Sequence, residues 1–154
     1  FQRKIDENRS NNQIKCIRFP NLWGLHLNSV ELKGTRVTTQ VTAAGLVILA
    51  YSDEALIDEW IKTYDLRAFP SFPLSSKAVL KKTLLAFKRQ GWAVSEEQLE
   101  LNYRGIAVPL LDRQSNVLGA ISITMPINRE ESYHALNRVL PVLQESAHSL
   151  RPLL

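Results

Sequence analysis

The chain has 154 residues, of which 45% are hydrophobic and 22% charged, and these proportions are ordinary for one soluble globular domain with its own core. No apolar run approaches the roughly 20 residues of a membrane span, and the single cysteine, Cys16, excludes an intrachain disulfide framework and fits a reducing compartment. The net charge of +4 invites a nucleic-acid function, but the cations are scattered along the chain, which argues against it.

The first forty residues predict short strands. Phe1 to Ile5 and Gln13 to Phe19 flank a polar stretch suited to a hairpin loop. After a break at Pro20-Asn21, residues 24–32 alternate again between apolar and polar side chains. Thr35 to Thr39 is rich in β-branched residues and predicts a further short strand. This part of the chain therefore predicts hairpin-connected strands.

The apolar segment Ala43 to Ala50 predicts a buried helix, because it is apolar on all sides. Its first turn contains Ala43, Ala44 and Gly45. Small side chains there would let a ligand approach backbone N–H groups at the helix N-terminus, where the helix dipole favours an anion. Close packing of a helix on a sheet needs small residues equally, so the pattern alone leaves both interpretations open.

Two amphipathic helices are predicted next. Ser52 is a suitable N-cap for residues 53–64, and a loop with two prolines follows at residues 65–75. A third helix runs from about Ser76 to Gln90, and Gly91 stands at the position where helices commonly end. The densest group of cations in the chain lies along this helix, and we expect these side chains to face solvent: Lys77, Lys81, Lys82, Lys88 and Arg89.

Residues 103–126 carry the most informative pattern in the chain. Two runs rich in Ile, Val and Leu flank the polar stretch Asp112 to Asn116, which predicts a β-hairpin with a loop longer than two residues. Because side chains alternate along a strand, Ser122 and Thr124 fall on one face of the second strand. These two hydroxyls either bind a small polar ligand or form the wet face of a half-buried sheet.

The segments around this hairpin complete the predicted elements. Residues 92–94 predict a short strand, and residues 95–101 an irregular, solvated acidic stretch. Asn128 and Glu131 form a capping-box-like start for a long C-terminal helix, in which Pro141 should cause a kink or a restart. One apolar face of this helix is predicted to carry Leu136, Leu140, Leu143, Ala147 and Leu150.

No constellation in the sequence supports catalysis. His26, His134 and His148 have no ligand-like spacing with one another or with Cys16, so we expect no metal site. The neighbouring acids Glu96-Glu97 point apart on a strand or helix and do not form an acid–base pair. Nucleophile-elbow, Walker and dinucleotide-binding motifs are absent. We therefore expect neither an enzyme nor a bound cofactor.

The hairpin resembles a segment of a known family. Arg104 to Leu110 reads R-G-I-A-V-P-L, Asp112 follows, and Ala120 to Thr124 reads A-I-S-I-T. These elements resemble the closing hairpin of the effector-binding domain of IclR-type bacterial transcription regulators. That hairpin carries a strand like Arg-Cys-Ile-Ala-Ala-Pro-Val, a turn around Asp and Gly, and a strand like Ala-Leu-Ser-Val-Ser.

The resemblance extends upstream of the hairpin in the same order. Gly34-Thr35-Arg36 is similar to the family's Gly-Arg-Arg element, and Gln40 to Gly45 is similar to its His-Ala-Thr-Ala-Leu-Gly element. Gln90 to Val94, followed by Glu96-Glu97, is similar to its Gly-Tyr-Ala element and acidic pair. The resemblance therefore covers most of the chain.

Hairpin strands and segregated amphipathic helices predict an α+β domain with an antiparallel sheet and flanking helices. The resemblance sharpens this to a GAF/profilin-like sensor fold, with residues 1–154 forming a single effector-binding domain. It implies that a small-molecule effector, a carboxylate or related metabolite, binds the domain and alters operator occupancy in the cytoplasm. DNA would be contacted only through a winged helix-turn-helix domain outside this chain. The full-length protein would be a homo-oligomer without a membrane partner.

The resemblance also implies where the effector binds. An anion would be held by backbone N–H groups at a helix start and by hydroxyls on the hairpin. The candidate ligand-binding residues are Ala43 and Ala44 at the helix start, Tyr103 and Gly105 on one hairpin strand, and Ser122 and Thr124 on the other.

This chain departs from the family pattern at three positions: Gly105 replaces a Cys, Thr124 a Ser, and Leu46 a Lys. Gly105 removes a side chain from the expected pocket floor, which implies room for a bulkier effector. The alternative hypothesis is a ligand-free dimerisation or interaction module that uses the apolar face of the C-terminal helix. A pocket of roughly 300 Å³ or more beside Ser122 and Ala44 would favour effector binding over this alternative.

Overall fold

The structure is a computed structural model and describes residues 13–15, 36–63 and 76–153. Short 3₁₀ turns occur at Thr39–Val41, Ile127–Arg129 and Arg151–Leu153. The strands and helices are, in chain order, β1 (Gln13–Lys15), β2 (Arg36–Thr38), α1 (Ala43–Ala50), α2 (Glu54–Thr63), α3 (Lys77–Gln90), β3 (Ala93–Glu96), β4 (Tyr103–Leu111), β5 (Val117–Pro126) and α4 (Ser132–Leu150).

The described strands pair in antiparallel fashion. β1 pairs with β2, and β3, β4 and β5 form a second sheet with β4 in the centre. In this second sheet Gly105 of β4 faces Ser95 on one neighbour and Thr124 on the other. These three residues therefore form one row across the sheet.

One face of the β3–β4–β5 sheet is covered by α1. This helix is apolar on all sides because it lies between the sheet below and α2 and α3 above. Gly45 allows a close approach to the preceding turn, since a Cβ there would lie 2.0 Å from the carbonyl oxygen of Thr39. This first cluster of buried residues contains Ala43, Leu46, Val47, Leu49, Ala50, Ile57, Trp60, Ile61, Leu80, Leu84, Ala93 and Ala107.

The opposite face of the sheet is covered by α4. Its buried residues Ala135, Val139 and Leu143 pack on Ile106 and Val108 of the sheet, with other apolar side chains of α4 half-buried beside them. The interaction-module hypothesis is wrong in its choice of surface, because this apolar face is already used inside the domain. The fold is thus a three-layer arrangement of helices, sheet and helix.

Several predicted elements are confirmed. The hairpin has strands β4 and β5 joined by a loop at residues 112–116, and α1 has the predicted bounds. In α3, the side chain of Ser76 accepts a hydrogen bond from the Val79 N–H, and Gly91 follows the helix at φ 84°. Within the described residues, no helix is long and apolar enough to cross a membrane.

Other predictions on helix ends were wrong. Ser52 is not the residue that precedes α2, because α2 begins at Glu54 and Asp53 comes directly before it. The Ser52 hydroxyl instead donates to the Ile48 carbonyl in the last turn of α1 at 3.0 Å. Asn128 lies in a 3₁₀ turn, and α4 begins at Ser132. α4 continues through Pro141, so the helix does not restart there, and the alternative of a kink stays a prediction.

β3 is longer than predicted, because Ser95 and Glu96 pair with Gly105 and Arg104 and continue the strand instead of forming an irregular stretch. The prediction for Gln13 to Phe19 is confirmed for residues 13–15 only, and that for Thr35 to Thr39 for residues 36–38. Predictions on residues 1–5, 24–32 and 65–75 lie outside the described residues.

Candidate functional site

The sheet face beneath α1 brings most of the predicted site residues together. Thr124 pairs with Gly105 and Ser122 with Ala107, so both hydroxyls project from the face on which α1 packs. Both side chains are exposed. Tyr103 lies two residues before Gly105, points to the same face and is half-buried. The hairpin thus presents two exposed hydroxyls beside one aromatic ring.

The N-terminus of α1 contributes one backbone donor to this face. The Gly45 N–H donates to the Thr42 hydroxyl at 3.0 Å, and the Ala43 N–H donates to the Ser95 hydroxyl at 3.1 Å. Among the described residues, none accepts a hydrogen bond from the Ala44 N–H. Of the two N–H groups predicted to hold an anion, Ala44 therefore offers its donor and Ala43 does not.

Ser95 is a member of this cluster that the sequence did not indicate. Its side chain is only 7% exposed, and its hydroxyl oxygen accepts the Ala43 N–H across 52 positions of sequence. No described residue accepts a hydrogen bond from the Ser95 O–H itself. Extending β3 by two residues was the signal that could have identified it, because Ser95 then shares a face with Ala93.

Gly105 does not open space for a larger ligand. A Cβ at this position would lie 2.8 Å from the Ser95 hydroxyl oxygen and 3.4 Å from the Ala43 Cβ. The space that a side chain would occupy is therefore filled by the neighbouring strand and by α1. The expectation of a wider pocket floor is wrong, and the glycine instead permits Ser95 to reach the start of α1.

A charged network lies directly behind this site, on the α4 face of the sheet. Arg104 is 4% exposed, and its Nε donates to the Glu96 carboxylate, which also accepts the Ser132 hydroxyl. Arg104 Nη1 donates to the Glu130 carbonyl at 3.4 Å. Glu96 is therefore a structural ion-pair residue, and the expectation of a merely solvated acid is wrong. The network fixes the start of α4 against β3 and β4.

The ionisation of Glu96 makes this network sensitive to acid. Partial burial opposes ionisation, but the hydrogen bonds from Ser132 and Arg104 and the Arg104 charge outweigh it, so the pKa of Glu96 lies below its ordinary value of 4.5. Because its pKa is lower in the folded state, the ionised Glu96 carboxylate stabilises the fold at pH values above 4.5. This contribution is lost as the pH falls through the pKa of the folded state.

We expect Glu96→Gln to be less stable than the parent by an amount that is constant between about pH 6 and 8 and shrinks below about pH 4.5. Urea unfolding at several pH values measures this difference. A difference that persists unchanged to about pH 3 would show that the carboxylate charge is irrelevant.

The described residues also limit other kinds of site. Within residues 13–15, 36–63 and 76–153, no group of His, Cys, Asp and Glu is arranged to hold a metal ion. Two shallow cavities lie at the C-terminal end of α4, and neither is bordered by Ser122 or Ala44. The pocket predicted beside those two residues therefore stays a prediction.

Comparison with known proteins identifies the family. The protein-family model described as "Bacterial transcriptional regulator IclR C-terminal" matches residues 25–151. The chain belongs to the IclR family. The predicted family and the predicted α+β fold with an antiparallel sheet are both confirmed.

Relatives of this IclR-family chain include bacterial regulators. The Pca operon regulatory protein of Acinetobacter baylyi is 34% identical over 134 residues, which cover 87% of this chain and 46% of the relative. The p-hydroxybenzoate hydroxylase transcriptional activator of the same organism is 30% identical over 131 residues, covering 85% of this chain and 46% of the relative. The chain thus spans slightly less than half the length of these relatives.

Solved structures agree with the fold. A double mutant of the PobR inducer-binding domain from Acinetobacter, in complex with 3-hydroxybenzoic acid, has a TM-score of 0.73 and 29% identity, covering 80% of this chain and 70% of that one. An IclR regulator from Alicyclobacillus acidocaldarius has a TM-score of 0.79 over 93% of this chain and 56% of that one. At 20% identity, this second likeness concerns the fold alone.

Proposed function

We propose that this IclR C-terminal domain senses a small aromatic carboxylate, which binds the sheet face at the N-terminus of α1. The observation that carries the proposal is the presence on that face of three donors that no described residue accepts: the Ser122 and Thr124 hydroxyls and the Ala44 N–H. Unpaired donors beside a helix N-terminus suit an anion, because the helix dipole adds to the hydrogen bonds.

The aromatic part of the proposal is supported by the relatives. One is named for p-hydroxybenzoate hydroxylase, and the PobR inducer-binding domain was solved with 3-hydroxybenzoic acid. In this chain Tyr103 supplies an aromatic ring on the same face, one diagonal step from Thr124 across the strand pair. We propose that the ligand ring packs near Tyr103 while its carboxylate accepts hydrogen bonds from the donors.

Ser95 has a supporting role in this arrangement. By accepting the Ala43 N–H, it holds the first turn of α1 against β3 and leaves the Ala44 N–H for the ligand. Its own O–H, for which no described residue is an acceptor, is a further donor for the carboxylate. The proposed site thus contains Ser95 in addition to the predicted residues, with Gly105 as the close-packed centre of the row.

The consequence for transcription belongs to the whole protein. We propose that the described residues are part of a single regulatory domain, and that effector binding changes operator occupancy through a separate DNA-binding domain outside this chain. Symmetric operators are read by symmetric proteins, so the full-length regulator is proposed to be a homo-oligomer. No catalytic step is part of the proposal.

Calorimetric titration with 3-hydroxybenzoate, 4-hydroxybenzoate and benzoate tests the site. We expect Ser122→Ala combined with Thr124→Val to weaken binding at least about tenfold, because one hydrogen bond to a charged group contributes about 1.5–3 kcal/mol. Benzyl alcohol, which lacks the carboxylate, should bind far more weakly than benzoate. The matched control is Ser149→Ala, an exposed serine on α4 beyond the opposite face of the sheet, which should leave the affinity unchanged.

Three results would contradict the proposal. Unchanged affinity in a folded double variant would remove Ser122 and Thr124 from the site. Equal binding of benzyl alcohol and benzoate would show that charge is not recognised, and failure of every carboxylate to bind would favour a ligand-free module.

A further inference from the structure

The C-terminal end of α4 forms a groove with the tip of the β4–β5 hairpin. Two adjoining shallow depressions of about 180 Å³ and 370 Å³, both largely open to solvent, share His148 and Arg151. We call them together the C-terminal groove. The lining combines the apolar side chains of Pro109, Leu111 and Ala147 with a basic rim of Arg113, His148 and Arg151, in which the two arginines carry the positive charge.

The two arginines of the rim hold neutral partners. Arg113 Nη2 donates to the Pro152 carbonyl at 3.1 Å. Arg151 Nε donates to the Asp112 carbonyl at 3.2 Å, and its Nη2 donates to the Ser115 hydroxyl at 3.3 Å. A guanidinium carries five N–H donors, so each arginine keeps further donors. No Asp or Glu is among the residues that line either cavity.

Asp112, the acid next to Arg113 in sequence, is already engaged. The carboxylate of Asp112 accepts hydrogen bonds from the side chain and the backbone N–H of Asn116. These bonds, together with the charge of Arg151, hold the pKa of Asp112 below its ordinary value. Asp112 therefore offsets part of the charge of Arg151, whereas no ion pair to Arg113 occurs among the described residues.

Helix capping explains only part of this arrangement. A cation at the C-terminus of a helix complements its dipole, which accounts for Arg151 at the end of α4. It does not account for Arg113 on the hairpin tip or for the apolar side chains of the lining. A shallow depression with apolar side chains beside two arginines is complementary to a flat apolar body that carries one negative charge.

We propose that the C-terminal groove is a second ligand site, which binds small carboxylates with an apolar body and is separate from the Ser122–Thr124 face. Arg113 and His148 are exposed and Arg151 is half-buried, so binding is weak and sensitive to salt. The probe is benzoate, with acetate and benzyl alcohol as its charge-only and body-only counterparts.

Histidine ring signals in NMR spectra of the 154-residue chain locate the binding, because the chain has only three histidines and His148→Gln identifies one set of signals. At low ionic strength, benzoate should shift the His148 signals progressively, and acetate or benzyl alcohol at equal concentration should shift them much less. The shift should persist in the Ser122→Ala, Thr124→Val variant.

Arg113 supplies the test of charge. Arg113→Gln should weaken the benzoate effect at His148 about two- to fivefold, as expected for one exposed ionic contact, and Arg113→Glu should weaken it further. The matched control is Arg129→Gln, an exposed arginine after β5 at the opposite end of the hairpin, roughly 30 Å along the strands. It should leave the titration unchanged.

The possible results separate the two sites. Loss of the His148 shift in the Ser122→Ala, Thr124→Val variant would overturn the second site. The His148 shift in the parent would then report binding at the Ser122–Thr124 face and not in the C-terminal groove. Equal shifts with acetate and benzoate, or equal weakening by Arg113→Gln and Arg129→Gln, would also overturn it. Calorimetric binding of benzoate without any His148 shift would overturn this inference and leave the proposed function intact.

Discussion

Gly45→Ala is expected to lower the free energy of unfolding by about 3 kcal/mol or more. A Cβ at Gly45 would lie 2.0 Å from the Thr39 carbonyl oxygen and 2.7 Å from the carbonyl carbon. These are backbone atoms, so the clash is relieved only if α1 and the preceding turn move apart. In an ordinary helix the same substitution stabilises by roughly 0.5–1 kcal/mol, so the sign of the effect is diagnostic.

Urea unfolding of the parent and of Gly45→Ala measures the difference in the free energy of unfolding. Gly119→Ala in β5 is the matched control, because the nearest atom to its new Cβ is 4.0 Å away, and its stability should change by less than about 1 kcal/mol. If Gly45→Ala is as stable as the parent, the turn and α1 do not approach as closely as described. The position of the Ala44 N–H would then be wrong as well.

Glu96→Ala is expected to cost about 3 kcal/mol, because it leaves the buried Arg104 guanidinium without its carboxylate. This loss of stability is at the lower end of the range for breaking a buried ion pair. The Glu96 side chain is 44% exposed, so water can partly take its place beside Arg104 in the variant. Loss of the Ser132 contact should also loosen the start of α4, which has no side-chain cap of its own.

Denaturant unfolding gives the magnitude, and amide exchange in the first turn of α4 reports the local effect. The control is Glu100→Ala, whose carboxylate is exposed in the turn between β3 and β4, and which should change stability by less than about 0.5 kcal/mol. Equal effects of the two substitutions would show that Arg104 does not depend on Glu96.

Much of the fold follows from local signals. Alternation along β4 and β5 and the polar loop between them are local properties, and so are the Ser76 cap and Gly91 at the two ends of α3. These elements were predicted correctly because neighbouring residues determine them. The C-terminal end of β3 was not predicted correctly, because its last residues form a strand only by pairing with β4.

The candidate site was predicted less completely, for the same physical reason. Periodicity placed Ser122 and Thr124 on one face, and their row neighbours follow from the strand register. The bond between Ala43 and Ser95 joins residues 52 positions apart, and no local pattern indicates it. The same contact explains why Gly105 is close-packed rather than open.

We propose that the sheet face bearing Ser122 and Thr124 binds an aromatic carboxylate. A crystal structure of the chain with 3-hydroxybenzoate tests it most directly. The ligand carboxylate should lie within about 3 Å of the Ala44 nitrogen and of at least one of the two hydroxyl oxygens. A fully occupied ligand bound elsewhere, with this face empty, would contradict the claim.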